Sequence, residues 1–184
     1  MKKIILPDDI NSIGNLSVGE EILLTGKIFV ARDAAHKRLY EMILNNQKLP
    51  IELINSAIYY MGPCPATPDE IIGPCGPTTA GRMDKYTPLL LEKGLKIMIG
   101  KGKRNGKIKE SIVKNNAIFL ATYGGAALVI QEKIKFDKII AFEDLGAEAI
   151  REIIVENLPC IVAIDSKGRD IYEIGPERYR ENIK

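Results

Sequence analysis

The sequence is poor in the residues that most often bind transition metals. It contains one histidine, His36, and three cysteines among 184 residues. Cys64 and Cys75 are separated by ten residues and Cys160 is far from both, whereas structural zinc sites favour pairs about two to four residues apart. This spacing argues against a metal site held by this chain alone. An odd number of irregularly spaced thiols is typical of reduced, cytosolic proteins, so we expect a cytoplasmic location.

Long apolar segments are also lacking. Residues 1–10 read MKKIILPDDI, and the apolar run before the two aspartates is too short for a secretory signal. Residues 117–131 form an uncharged stretch, which is shorter than the roughly 20 apolar residues that cross a membrane as a helix. We therefore expect neither a secretory signal nor a membrane span.

Charge of one sign does not dominate either. Lysine and arginine number 26 against 24 aspartates and glutamates, which gives a net charge of +2. Such a balance does not favour extensive binding to nucleic acid, although local basic patches are compatible with it. With 46% hydrophobic residues, the chain can bury a core, and its length predicts one globular domain over residues 1–184.

Strand-like and helix-like segments alternate along the chain. The apolar patterns predict strands at 22–30, 57–61, 96–99, 117–122, 139–142, 160–164 and 170–174, the last two joined as a hairpin. They predict helices at 34–46, 78–85, 88–93, 108–115 and 146–157, with another beginning near Gly124 and Gly125. Asp33 is predicted to cap the first of these helices. This alternation predicts a layered α/β domain.

A segment rich in proline and glycine interrupts the pattern. Residues 62–77 contain five prolines and three glycines in sixteen positions, which excludes a regular helix or a central strand. Long ordered loops inside compact domains tend to be functional.

The basic segment 100–109 has the sequence GKGKRNGKIK. It is not a phosphate-binding loop, because five residues separate Gly100 from Gly106 and Ile108 stands where that motif needs a hydroxyl. The cluster could contact RNA, or it could be a solvated turn. Lys101 differs from the other lysines, because it follows a predicted strand directly and lies between two glycines.

The segment 76–84, GPTTAGRMD, is the strongest local signal. Two hydroxyls, an arginine and an aspartate crowd the start of a predicted helix, whose free N–H groups favour an anion. Arg82 could bind a carboxylate through two hydrogen bonds. The alternative is purely structural: a threonine caps the helix and Arg82 pairs with Asp84.

A second signal is RDAAH at 32–36. Arg32 lies between a predicted strand and a predicted helix, where α/β proteins gather active-site groups. His36 lies one turn into the helix. It either orients Arg32 or Asp33 or is an ordinary polar residue whose hydrogen bonds are satisfied.

Taken together, these segments resemble the β subunit, or C-terminal domain, of class I iron–sulfur fumarases and L-tartrate dehydratases. The matching stretches run in family order and cover nearly the whole chain: 25–26 (TG), 31–36 (ARDAAH), 60–66 (YMGPCPA), 76–84 (GPTTAGRMD), 99–102 (IGKG), 124–127 (GGAA) and 145–150 (LGAEAI). The GPTTAGRMD stretch is specific, whereas glycine pairs alone are weak.

The resemblance implies a single swivelling β/β/α domain. It also implies a partner, the α subunit, that holds a [4Fe–4S] cluster on three cysteines and leaves one iron open to substrate. We therefore expect this chain to bind no metal of its own and to work as a separate subunit of a hydro-lyase.

The resemblance also implies site residues. Arg32, Arg82 and Lys101 correspond to positions that bind the carboxylates of a small dicarboxylate. Thr78 corresponds to the proposed catalytic base, which is helped by an aspartate of the partner. This set suits the reaction, since loss of a proton beside a carboxylate builds negative charge that cations stabilise.

Two other functions remain open at this level: a stand-alone domain that binds or isomerises a small acid, and an RNA-binding module built on residues 101–109. The sequence also leaves the substrate open among fumarate or malate, tartrate and a methylated analogue, because the contacts that distinguish these acids can lie in the partner.

Overall fold

Strands and helices alternate through residues 1–181, the part of the chain that the computed structural model describes. The strands are β1 (Lys2–Leu6), β2 (Glu21–Val30), β3 (Ser56–Tyr59), β4 (Leu95–Gly100), β5 (Ile118–Ala121), β6 (Ile134–Ala141) and β7 (Ile150–Ile164). The α-helices are α1 (Asp33–Leu44), α2 (Thr87–Glu92), α3 (Gly106–Lys114), α4 (Ala127–Gln131) and α5 (Ile171–Glu181). Short 3-10 helices cover Ile10–Asn15, Ala80–Met83 and Glu143–Glu148.

The strands form one sheet that closes on itself. β1 to β5 lie side by side and parallel, in chain order. β7 runs antiparallel to β5 and also to β2, so the pairings β2–β3–β4–β5–β7 form a ring. β6 pairs with β7 outside that ring. Because β2 to β5 are parallel, their carboxyl ends lie along one edge of the sheet.

Alternation along the strands divides the buried side chains into two cores. Val30, Tyr59, Ile99 and Leu120 belong to a cluster enclosed by the strands. The residues next to them along each strand point the other way. These residues pack with the buried residues of α1, α2 and α3 in a second cluster and include Phe29, Ile58, Tyr60, Met98 and Phe119. The sheet is thus apolar on both faces, and the helices cover its outer face.

Most predicted elements are confirmed. The strands predicted at 22–30, 57–61, 96–99 and 117–122 and the helices predicted at 34–46, 88–93 and 108–115 correspond to β2 to β5 and to α1 to α3. The α/β class is confirmed as well. α4 begins at Ala127, just after the glycine pair, and the helix predicted at 78–85 is a single 3-10 turn, Ala80–Met83. None of the helices in the described residues is long and apolar enough to cross a membrane.

The helix predicted at 146–157 is wrong. Residues 150–164 form the long strand β7 instead. Ile153 and Val155 belong to the inner core, and after Asn157 the inner positions resume at Leu158 and Cys160. Asn157 has a φ of 52° and lies beside the register shift between β7 and β2. The spacing that predicted the helix has another cause: Ile150 packs in the outer core, Ile153 packs in the inner core and Ile154 is exposed, so they lie on both faces of a strand and not on one face of a helix.

The strand predicted at 170–174 is also wrong. A turn at 166–168 does exist, and Ile164 and Asp170 form an isolated bridge. The chain then enters α5 at Ile171. Asp170 starts this helix, because its carboxylate accepts a hydrogen bond from the N–H of Tyr172 at 2.9 Å. The strand predicted at 139–142 covers only the end of β6.

Candidate active site

Four loops meet at the carboxyl edge of the parallel strands. Arg32 and Asp33 follow β2, and Lys101 follows β4. The proline- and glycine-rich segment 62–77 follows β3, and Gly124 and Gly125 follow β5. Parallel α/β sheets, whether open or closed, bind ligands at this edge. The segments singled out from the sequence are therefore brought together by the topology.

Thr78 is held between the ends of two strands. Its N–H donates to the carbonyl of Tyr60 at 2.8 Å, and its carbonyl accepts from the N–H of Lys101 at 3.2 Å. The N–H of Ala80 donates to the carbonyl of Lys101 at 2.8 Å. These bonds fix the backbones of Thr78 and Lys101 side by side and start the 3-10 turn that carries Arg82.

Arg82 joins Thr78 to the first residue of α1. Its Nη2 donates a hydrogen bond to the Thr78 hydroxyl oxygen, and its Nε lies 3.1 Å from Asp33 Oδ1. The side chain of Arg82 is 46% exposed. One edge of the guanidinium is thus fixed while the rest faces the open side of the sheet edge.

Arg32 is held by two carboxylates. Its Nε lies 3.5 Å from Asp33 Oδ2, and its Nη2 lies 3.2 Å from Glu148 Oε1. The second oxygen of Glu148 accepts a hydrogen bond from the N–H of Ala34 at 2.7 Å. Arg32, rather than Asp33, is the N-cap residue of α1, and its side chain makes no capping hydrogen bond. The prediction that Asp33 is the cap is therefore wrong, and Glu148 satisfies a free N–H of the first turn.

Two glycines lie against the basic side chains, and at one of them only glycine fits. A β-carbon on Gly62 would lie 2.8 Å from Arg32 Nη1 and 2.9 Å from the carbonyl oxygen of Ala147, which is too close for any other residue. A β-carbon on Gly124 would lie 3.7 Å from Lys101 Nζ. The loop after β5 therefore lies against the exposed Lys101 side chain. The loop after β3 encloses Arg32.

The four residues predicted to act on substrate thus lie in adjoining segments of one edge. Thr78, Arg82 and Arg32 are linked through Asp33, and the Lys101 backbone is bonded to that of Thr78. Three cationic side chains and two carboxylates lie here, so the cluster carries one excess positive charge. Such a partly exposed, pre-positioned cationic edge can bind an anion with several carboxylate oxygens.

The contacts expected in the structural alternative for residues 76–84 are not the ones that form. Asp84 does not pair with Arg82. It pairs with Arg104, whose Nε donates to Asp84 Oδ1 at 2.5 Å. The second oxygen of Asp84 accepts from the N–H of Asn105 at 2.9 Å. Thr79, not Thr78, is the N-cap residue of the 3-10 turn, and its side chain makes no capping hydrogen bond.

Arg104 is a buried residue within the basic segment for which the sequence leaves open an RNA contact or a solvated turn. Its side chain has no exposed area, its Nη2 donates to the Thr87 hydroxyl at 3.0 Å, and its guanidinium lies over the rings of Tyr60 and Phe119. Lys109, in the same basic segment, pairs with Glu173. The segment 101–109 therefore does not present one continuous cationic surface.

His36 lies beneath this edge and is fully buried. Its Nδ1 is 3.1 Å from the carbonyl oxygen of Arg32, and its ring meets that of Tyr60 edge to face at 4.9 Å between centroids. Burial lowers the pKa of His36 to about 4, although the bond to the Arg32 carbonyl opposes the shift. A neutral His36 therefore supports the backbone of Arg32 from below.

The cysteines differ in their surroundings. Cys64 is exposed in the loop after β3, whereas Cys75 and Cys160 are buried, and burial raises the pKa of both buried thiols to about 12. Cys160 belongs to β7, in the inner core. Within residues 1–181, no three histidine, cysteine, aspartate or glutamate side chains are grouped so that they could hold a metal ion.

Sequence reasoning missed Glu148 and Arg104 as parts of this network. Glu148 lies in the LGAEAI stretch at 145–150, which the family resemblance included without assigning a role to the glutamate. Arg104 carried no local signal, because its neighbours Lys103 and Lys107 are exposed. Only the tertiary approach of α2, β4 and the 3-10 turn buries it.

Comparison with known proteins identifies the family. Residues 2–175 match the family described as Fumarase C-terminus. The chain is 39% identical to fumarate hydratase 2 of Leishmania major over 157 residues, and 39% identical to the anaerobic class I fumarate hydratase of Escherichia coli K12 over 158 residues. These matches cover 84% and 85% of this chain but only 28% and 29% of the relatives.

A shorter relative matches over most of its own length. The chain is 34% identical over 167 residues to a protein of Methanocaldococcus jannaschii described as a putative L(+)-tartrate dehydratase subunit beta. The match covers 88% of this chain and 86% of that relative. The chain thus spans less than a third of the fumarate hydratases and corresponds in extent to the separate subunit.

Proposed function

The chain belongs to the Fumarase C-terminus family, and from this premise we propose that it is the substrate-binding β subunit of an iron–sulfur-dependent hydro-lyase. The enzyme removes water reversibly from a hydroxy-dicarboxylic acid. One observation carries the proposal: Arg32, Arg82, Lys101 and Thr78 occupy adjoining positions at the carboxyl edge of the parallel strands. The relative of similar extent is described as a β subunit, which supports the assignment to a subunit.

We also propose the finer architecture. The ring of strands with a helical layer on its outer face is compatible with the swivelling β/β/α domain that the family resemblance implies. We assign this domain to residues 1–184. A domain that swivels as a unit would carry the cationic edge towards and away from a second body.

The substrate we propose is a dianion with two carboxylates. Arg82 and Arg32 each keep part of the guanidinium free, because Asp33 and Glu148 occupy only some of their N–H groups. A guanidinium binds a carboxylate through parallel hydrogen bonds, whereas the ammonium of Lys101 acts as a compact charge. Two forks and one point charge suit two carboxylates, of which one gains charge during the reaction.

Thr78 is the base that we propose for removal of the proton beside a carboxylate. A free threonine hydroxyl is a poor base and needs activation. The hydrogen bond from Arg82 Nη2 to its oxygen favours the deprotonated form. The hydroxyl proton would pass to an aspartate that we assign to the partner, and the Thr78 oxygen would then take the proton from substrate carbon. Arg32, Arg82 and Lys101 would stabilise the charge that remains on the substrate.

A [4Fe–4S] cluster does not fit the described residues of this chain. Such a cluster with one open iron needs three converging thiolates, whereas Cys64 lies on an exposed loop and Cys160 lies in the inner core. We therefore assign the cluster to the partner α subunit. When bound there, it would supply a Lewis acid for the departing hydroxyl.

The open geometry also supports a partner. The side chains of Arg82, Asp33 and Arg32 are 46%, 35% and 27% exposed, and Lys101 is exposed as well. Charged groups act most strongly on a reaction when water is excluded, so a second surface must cover this edge. We propose that the α subunit covers it in the cytoplasm, with no part played by nucleic acid or a membrane.

Reconstitution tests the proposal. The chain, a cluster-bearing α subunit from the same source and their mixture are assayed under anaerobic conditions on malate, tartrate and citramalate. We expect turnover of at least one acid by the mixture and none by the chain alone. Turnover by the isolated chain would favour a stand-alone small-acid enzyme, and an inactive mixture with full iron content would overturn the assignment to hydro-lyases.

A further inference from the structure

We propose that Asp33 is a positioning residue for the reaction: its carboxylate sets the spacing and orientation of the two arginines that bind substrate. The inference rests on the proposed function and goes beyond it, because Asp33 has no assigned part in binding or proton transfer. Asp33 Oδ1 lies 3.1 Å from Arg82 Nε, and Asp33 Oδ2 lies 3.5 Å from Arg32 Nε. One short side chain thus contacts both arginines, which come from different loops.

Asp33 is well placed to act as a fixed reference. It is the first residue of α1, and that helix is tied to the second core through Ala35, Leu39 and Ile43. Glu148 holds the N–H of the next residue, Ala34. An aspartate has few side-chain torsions, so a fixed backbone leaves its carboxylate little freedom.

The unpaired atoms at this point support the same role. Arg32 Nε and Asp33 Oδ2 are both buried, and neither has a hydrogen-bond partner among the described residues. They face each other at 3.5 Å, so a small movement completes the bond that each lacks. Buried polar atoms without partners are costly. The burial of both atoms therefore favours the pairing of Arg32 with Asp33.

A role in stability alone explains Asp33 poorly. Partly exposed ion pairs contribute little to folding, and the Asp33 and Arg82 side chains are 35% and 46% exposed. A negative charge beside an anion site also weakens binding of a dianion. The carboxylate of Asp33 therefore orients the two arginines, although it lowers the positive charge of the site.

The test uses Asp33→Asn in the reconstituted complex. Asparagine keeps the shape and one acceptor but removes the charge that aligns both guanidinium groups. We expect kcat to fall by about ten- to a hundred-fold, as misplaced catalytic groups cause. Succinate is a dicarboxylate that cannot react. We expect its Kd to increase by less than about three-fold, or to decrease, since the repulsion between the Asp33 carboxylate and the dianion is removed.

Asp144→Asn is the matched control. It removes the carboxylate that pairs with Arg38 on the exposed side of the same helix, outside the site. We expect wild-type kcat and succinate affinity from it. A cycle combining Asp33→Asn with Arg82→Lys should be non-additive, because groups that act through one another share their effect.

The outcomes separate this inference from the proposed function. An inactive wild-type complex would overturn the function itself. An active wild-type complex in which Asp33→Asn matches Asp144→Asn would overturn only the positioning role, as would additive effects in the cycle. If Asp33→Asn does not fold, Asp33→Glu, which keeps the charge but moves the carboxylate by one methylene, must show the same loss of kcat with succinate still bound. Failure of both variants to fold would assign the Asp33 carboxylate to stability and overturn the inference.

Discussion

Two arginine–aspartate pairs lie close together in this molecule and have opposite surroundings. Arg82 and Asp33 form a half-exposed pair at the carboxyl edge of the sheet. Arg104 and Asp84 form a buried pair beneath it, with 0% and 8% of their side chains exposed. Both pairs depend on the segment 76–84, since Arg82 and Asp84 are only two residues apart in it.

The two arginines differ in how much of the guanidinium is left to bind a ligand. Every polar edge of Arg104 is occupied by protein, through Asp84, Thr87 and the sulfur of Met98, so it has nothing left to offer a ligand. Among the described residues, Arg82 is held through Nε and Nη2 only. The buried pair therefore anchors the loop, and the open pair presents a guanidinium to an anion. We call the residues at the open edge the open layer (Arg32, Asp33, Thr78, Arg82 and Lys101) and the residues beneath it the buried layer (His36, Asp84 and Arg104). Substitutions in the open layer should change the kinetics, and substitutions in the buried layer should change the stability.

The largest effect should come from Thr78→Val, in the open layer. Valine keeps the shape and removes the hydroxyl. If Thr78 is the base, kcat of the reconstituted enzyme should fall by about 10²- to 10⁴-fold while the Kd of succinate and the melting temperature stay near wild type. Thr79→Val, next to it and exposed, is the matched control. A lowered melting temperature with kcat retained would instead make Thr78 a structural residue.

The buried layer should respond in the opposite way. Asp84→Asn leaves the guanidinium of Arg104 buried without a counter-charge, which should cost about 3–5 kcal/mol of folding free energy. Urea denaturation of the chain measures this. Asp144→Asn, in an exposed pair, should leave the denaturation midpoint nearly unchanged. A midpoint for Asp84→Asn equal to that of the control would show that the two layers do not differ as described.

His36 adds a pH dependence to the buried layer. Burial lowers the pKa of His36 to about 4, against an ordinary value near 6.5. The unfolded chain therefore binds the proton more readily, and stability should fall as the pH decreases from about 6.5 to about 4. The loss amounts to at most on the order of 3 kcal/mol. His36→Gln should flatten the profile of unfolding free energy against pH in that window, and an unchanged slope would refute the assignment.

The comparison also explains what the sequence could predict. Thr78 and Arg82 are indicated by the composition of the segment 76–84 and by the family resemblance, whereas Arg32 and Lys101 directly follow strands whose apolar patterns are local and clear. Arg32 and Lys101 could be placed at one edge without knowing any long-range contact. In the buried layer, Arg104 was missed because it looks like its exposed neighbours. Its burial depends on Asp84, twenty residues away in sequence.

Errors in the fold have a similar cause. The sequence predicts a helix within β7 because Ile150, Ile153 and Ile154 are spaced as on one helical face. In the strand these residues lie on both faces, and the pairing of β7 with three other strands is not visible in a short stretch of sequence. Glu148 could not be predicted for the same reason. It contacts Arg32 and Ala34, which are more than a hundred residues away in sequence.

The same substitution in both pairs shows whether Arg82 serves substrate binding and Arg104 serves stability. Arg82→Lys and Arg104→Lys each keep the charge and remove the planar fork. In the reconstituted enzyme, Arg82→Lys should lower kcat/KM by about ten-fold or more with the melting temperature near wild type. Arg104→Lys should lower the melting temperature by several degrees, with a smaller change in the kcat/KM of the folded enzyme. Unchanged kinetics in Arg82→Lys, or a melting temperature that falls equally in both variants, would contradict the account.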